Sequence, residues 1–101
     1  MKPPAECSSL ADVRIEIDRL DAELLRTLAE RRHYVLAAAQ FKSSPSAVAD
    51  PARVQAMIAV RRGWAAEQGL NPDMVESLFR LLVQHFVAEE QAHFQSTRTM
   101  G

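Results

Sequence analysis

The chain has 101 residues, 48% hydrophobic and 25% charged, with a formal net charge of −1. That length allows one domain, 1–101, and the charge balance lacks the basic excess of a nucleic-acid-binding protein. No stretch approaches the ~20 apolar residues of a membrane span, so neither nucleic acid nor membrane is an expected partner. Cys7 is the single cysteine and cannot form an internal disulfide. The N-terminus has no apolar run of the signal-peptide kind, and the cytoplasm is the expected compartment.

Three glycines and five prolines punctuate the chain, and no alternating run or tight hairpin turn suggests a strand. The expected class is all-α. The first helix starts at Ser8 or Ser9, either a suitable N-cap. Leu10, Val13, Ile17, Leu20, Leu24, Leu28, Val35 and Ala38 recur at helical spacing. The pattern predicts a helix to about Lys42, roughly 33 residues and about 50 Å long. SSPSAVA, with Pro45, then forms a loop.

The second helix opens on Asp50 as N-cap with Pro51 at its first position. Val54, Met57, Ile58 and Trp64 form its apolar side, and Gly69 ends it. The third opens on Asn71-Pro72-Asp73, carries Val75, Leu78, Phe79, Leu82 and Phe86 inward, and fades near Gln95. Two shorter helices of about 27 and 36 Å cannot cover the full stripe of the first. A second copy of the chain is the simplest cover, which predicts an intertwined helical homodimer.

At 100° per residue, Arg31 and Lys42 fall on one face of the first helix, about 16 Å apart along its axis. Arg14 lies about 25 Å from Arg31 and about 100° around; only in an antiparallel dimer would it reach the same small anion. On the third helix Glu89 and Glu90 flank the apolar stripe while Gln91 points away from it. An inward carboxylate is costly unless paired or protonated. Surface pairing along helices is the ordinary use of such charges, and spacing alone leaves it open beside a ligand site. His33, His85 and His93 do not form a metal constellation, and no nucleophile triad or glycine-rich phosphate loop occurs. No metal or cofactor is expected.

LADVRIEIDRLDAELLRTLAERRHYVLAAAQFK resembles the first helix of the all-α chorismate mutase family, with its early Arg, IDxxDxxLLxLLxxR pattern and a Lys eleven residues after the second Arg. IDRLD, AAAQFKSS, PARVQAM, WAAEQGL, VESLF and VAEE bring the chain nearest to the isochorismate-pyruvate lyase branch, which serves salicylate and siderophore biosynthesis. The resemblance implies an intertwined homodimer in which Arg14 of one chain joins Arg31 and Lys42 of the other around a small dicarboxylate. The arginines would clamp carboxylates. Lys42 would reach a carboxylate and the breaking ether oxygen, Asp50 and Arg53 would help bind substrate, and the 43–49 loop would act as a lid.

The family's reactions are pericyclic and need no cofactor. The lyase eliminates pyruvate from isochorismate to leave salicylate; the mutase converts chorismate to prephenate. Many family mutases carry Glu where this chain has Val54. That difference favours the lyase, with a weak mutase side activity, over a chorismate mutase. A non-catalytic helical dimerisation or regulatory module is the alternative outside enzymes. The family commonly places a hydrogen-bond-donating Gln at the position of Glu90. A carboxylate cannot donate and a protonated acid can, so Glu90 is expected to act in catalysis as the neutral acid.

Overall fold

The computed structural model describes residues 1–42 and 50–100, with side chains through residue 92. The expected lid over 43–49 lies outside the described residues. Among the described residues three α-helices follow one another: α1 (Leu10–Ala38), α2 (Pro51–Glu67) and α3 (Pro72–Met100). Short 3-10 turns cover Pro4–Glu6 and Ala39–Phe41, and there is no strand among the described residues. The chain divides into two compact units, Met1–Tyr34 and Val35–Gly101.

In the first unit, Ser9 is the N-cap of α1, its Oγ accepting from the Asp12 amide at 3.1 Å. Asp12 turns back and accepts from the amide and hydroxyl of Ser8, each at 3.0 Å, and from Lys2 Nζ at 3.3 Å. The Ser8 amide above all, then the Ser8 hydroxyl and Lys2, hold the Asp12 carboxyl below the usual carboxylate range. No residue of α1 is buried. Leu10, Val13, Ile17, Leu20 and Leu24 form the anticipated stripe, yet all face solvent, Leu24 at 62%.

The buried apolar residues all belong to the second unit: Ala39, Met57, Ile58, Ala65, Val75 and Phe86. α2 and α3 form its hairpin. Asp50 Oδ1 caps α2 by accepting from the amides of Ala52 (3.1 Å) and Arg53 (3.4 Å), with Pro51 following. α2 ends in a Schellman motif: Gly69 donates to the Ala66 carbonyl and Leu70 to that of Ala65. Gly69 adopts φ 72°, the left-handed conformation that favours glycine. Asn71 Oδ1 then caps α3, accepting from Asp73 (2.8 Å) and Met74 (3.2 Å).

Polar bridges clamp the hairpin near its turn. Arg62 of α2 donates to Asp73 at 2.9 Å and to Glu76 at 2.8 Å, and Arg80 donates to Glu76 at 2.7 Å. Arg80 first, then Arg62, keep the Glu76 carboxyl below its ordinary range. The Arg61 guanidinium lies over the Trp64 and Phe79 rings, at 5.0 and 5.2 Å from their centroids. Trp64, read from the sequence as core, is instead 52% exposed, with Arg61 against its ring.

Two helix ends differ from expectation. α1 stops at Ala38, and Ala39–Phe41 tightens into a 3-10 turn. Ala39 is 1% exposed, packed where the turn meets α3. α3 runs on to Met100, so its 29 residues equal those of α1. The length mismatch inferred between first and third helices is therefore absent.

Candidate active site

The Ala39–Phe41 turn packs against α3 and delivers Lys42. Lys42 leaves the turn in extended conformation, φ −106° and ψ 140°, its amide donating to the Ala39 carbonyl at 3.2 Å. The reading of Arg31 and Lys42 as two positions on one continuous helix face is thus corrected, because Lys42 is off the helix. Its Nζ donates to Glu90 Oε1 at 2.8 Å.

Glu90 is 3% exposed and is the buried polar residue among the described residues. A lone carboxylate there would face a desolvation cost of several kcal/mol, which the Lys42 ammonium offsets. The Lys42 side chain keeps 30% of its surface, so the cation reaches from the core edge toward solvent. The pair thus joins a buried carboxylate to a cation that is only part-buried. Glu89 lies to one side, within 3.3 Å of His85 Nε2.

Beside this pair on α3 is an open cleft of ≈ 300 Å³. Val54 of α2 and Val83, Val87 and Ala88 of α3 form its apolar lining, with Gln84 and Gln91. Val87 is three residues before Glu90, so the cleft's lining and the ion pair are neighbours on the surface of one helix. The sequence reading sent Gln91 away from the site; it is instead half-buried in this lining. The missed signal was the Val83, Val87, Gln91 row at i, i+4, i+8. It borders the core stripe and becomes a wall only once α2 places Val54 opposite.

The remaining expected residues are distributed as follows. Arg14 is exposed and Arg31 half-buried, both on the α1 segment of the first unit. Asp50 and Arg53 meet at the start of α2, where the Asp50 carboxylate is already committed as the cap. The Arg53 side chain is exposed. The described residues contain no group of three or more acidic, His or Cys side chains able to hold a metal ion. No described helix is long and apolar enough to cross a membrane.

The sequence profile of the chorismate mutase type II family matches residues 13–91, and the chain belongs to that family. The matched range takes in every expected site residue, from Arg14 to Glu90. Over 98 residues the chain is 42% identical to the isochorismate pyruvate lyase of Pseudomonas aeruginosa, which spans 97% of both chains. It is also 32% identical over 83 residues to the T-protein of Haemophilus influenzae, covering 81% of this chain and 22% of that one. The resemblance read from the first helix is borne out, as is the all-α, three-helix class.

Proposed function

We propose that the chain is an isochorismate pyruvate lyase that releases pyruvate from isochorismate and leaves salicylate, acting in the cytoplasm as one chorismate mutase-like unit over 1–101. The observation that carries the reading is the Lys42–Glu90 pair at 2.8 Å beside an apolar cleft. The full-length similarity to the Pseudomonas lyase supports it, and so does Val54, which leaves that wall of the cleft without a carboxylate.

In the reaction the ether C–O bond breaks while a ring hydrogen moves to the methylene carbon of the departing enolpyruvyl group. That carbon becomes the methyl group of pyruvate, and the ring becomes aromatic. All transferred atoms come from the substrate, so the protein needs no nucleophile. Its work is to hold the reactive conformer and stabilise negative charge gathering on the ether oxygen. Arg31 and a second copy's Arg14 bind the carboxylates. Lys42 serves a carboxylate and the ether oxygen, and protonated Glu90 donates to that oxygen. Asp50 and Arg53 border the entry, Asp50 chiefly as the cap that sets the start of α2.

The dimer is part of this reading. Leu10, Val13, Ile15, Ile17, Leu20, Leu24 and Leu25 are exposed on α1. Covering such a stripe with a second copy gains about 1 kcal/mol or more per side chain, enough for stable association. The test is to incubate purified protein separately with isochorismate and chorismate, following pyruvate and prephenate. Pyruvate release dominates on this account, with prephenate as a minor activity. Prephenate as the faster product would make the chain a mutase. Turnover unchanged by Arg31→Ala and Lys42→Ala would refute the site assigned here, and release of neither product by wild type would leave a non-catalytic dimerisation module.

A further inference from the structure

We propose that Gln91 is a specificity-determining residue, its amide binding the ring hydroxyl of the substrate inside the cleft. This inference rests on the lyase reading above. Among the described residues the cleft is lined by Val54, Val83, Val87 and Ala88, which offer no hydrogen bond, and by two glutamines. A hydroxyl moved from water into such a lining is penalised unless a partner meets it. Lys42 and Glu90 hold each other and are reserved for the ether oxygen and carboxylate. Within the lining of the cleft, the glutamines are the side chains able to partner the hydroxyl.

Gln84 and Gln91 are seven residues apart, about 10.5 Å along the axis and about 20° short of two full turns. They mark opposite ends of one lining, so a single ring hydroxyl meets one of them. Gln84 is exposed and Gln91 half-buried, and Gln91 adjoins Glu90. Along the helix axis Gln91 lies about 1.5 Å and Gln84 about 9 Å from the level of Glu90, so Gln91 marks the end of the lining nearer the ion pair. The carboxamide suits a hydroxyl from either side, since Oε1 accepts its proton and Nε2 donates to its oxygen. In place of a carboxylate on α2, this chain reads the hydroxyl with a neutral amide on α3, on the opposite wall from Val54.

The test compares wild type, Gln91→Leu, Gln91→Asn and Gln84→Leu. Each is assayed for pyruvate release from isochorismate and for inhibition by the enolpyruvyl ether of 3-hydroxybenzoate. That inhibitor keeps both carboxylates and the ether oxygen and lacks the alicyclic hydroxyl. Gln91→Leu is expected to raise KM for isochorismate about tenfold, the effect of leaving one buried hydroxyl unpaired. kcat should change less, and the inhibitor should bind as tightly as to wild type. Gln84→Leu should change the ratio of KM for isochorismate to the inhibition constant less than Gln91→Leu does.

Equal weakening of isochorismate and inhibitor by Gln91→Leu, with the oligomer falling apart on sedimentation, would overturn the proposal by assigning the cleft to packing between copies. Unchanged kinetics in Gln91→Leu would also overturn it. If Gln91→Leu does not fold, Gln91→Asn carries the test: the shortened amide should raise KM for isochorismate and spare the inhibitor, and an unchanged ratio of the two would refute the role. Failure of wild type to release pyruvate from isochorismate is a separate outcome that sinks the lyase reading itself.

Discussion

Replacing Glu90 by Gln removes one negative charge from a nearly water-free position and keeps the side chain's size. In the ligand-free site Lys42 and Glu90 neutralise each other at 2.8 Å. A substrate carboxylate or ether oxygen engaging Lys42 from its exposed side comes within two hydrogen-bond lengths of the Glu90 oxygen, about 6 Å. With an effective dielectric of about 20, two like unit charges at that distance repel by about 3 kcal/mol, a factor of about 100 in binding. The proposed role uses the neutral form of Glu90, which carries no such repulsion and can donate a hydrogen bond.

The sign follows from the form that works. The proposed role needs the neutral acid, so wild-type kcat/KM for isochorismate should fall as pH rises. Glu90→Gln carries amide hydrogens at every pH, so its profile should be flat there and exceed wild type at alkaline pH. The assay is pyruvate release at sub-saturating isochorismate across pH in buffers of constant ionic strength. A Glu90→Gln profile superimposable on wild type would refute the reasoning, because the charge on Glu90 would then be irrelevant to the step.

Lys42→Met strips the buried carboxylate of its cation and should lower stability by about 3 kcal/mol in urea denaturation at neutral pH; adding Glu90→Gln should restore most of the loss, and additive losses would contradict the pairing. At both Gly63 and Gly69 an added Cβ meets nothing within 4 Å, while Gly69 alone has positive φ at 72°. Backbone preference alone therefore decides: Gly63→Ala should stabilise by up to about 1 kcal/mol and Gly69→Ala should destabilise by about as much, read from denaturation midpoints. Ile17→Glu with Leu24→Glu places two charges in the exposed stripe of α1 and should yield monomer in sedimentation with loss of turnover; a persistent active dimer would refute the stripe's role.

The helices were legible because their signals are local. Ser9, Asp50-Pro51 and Asn71-Pro72 announce their caps, Gly69 announces a stop, and Val75 and Phe86 keep helical spacing to the core. The α1 end was not, since nothing in AAAQFK breaks a helix. The turn follows from packing Ala39 against α3, a tertiary constraint invisible to periodicity. Trp64 misled for a related reason: its size suggests burial, but Arg61 takes one face of the ring.

At the site, Glu90 stood out because a carboxylate at the edge of an apolar stripe demands a partner, and Lys42 proved to be that partner. Helical-wheel geometry could not have found the contact, since it crosses from a non-helical residue to a helix 48 positions away. Gln91 escaped notice because the wheel was centred on the core stripe, whereas the cleft opens on the neighbouring face and needs Val54 from α2 to close its far wall.

The central claim is that Arg14 of one copy completes the site holding Lys42 of another. Arg14→Ala and Lys42→Ala proteins, each inactive alone, should be unfolded together, refolded as a mixture and assayed for pyruvate release from isochorismate. Random pairing makes half the dimers mixed, each with one intact site, so activity should return to about a quarter of wild type. A mixture as inactive as its parents would contradict the shared site.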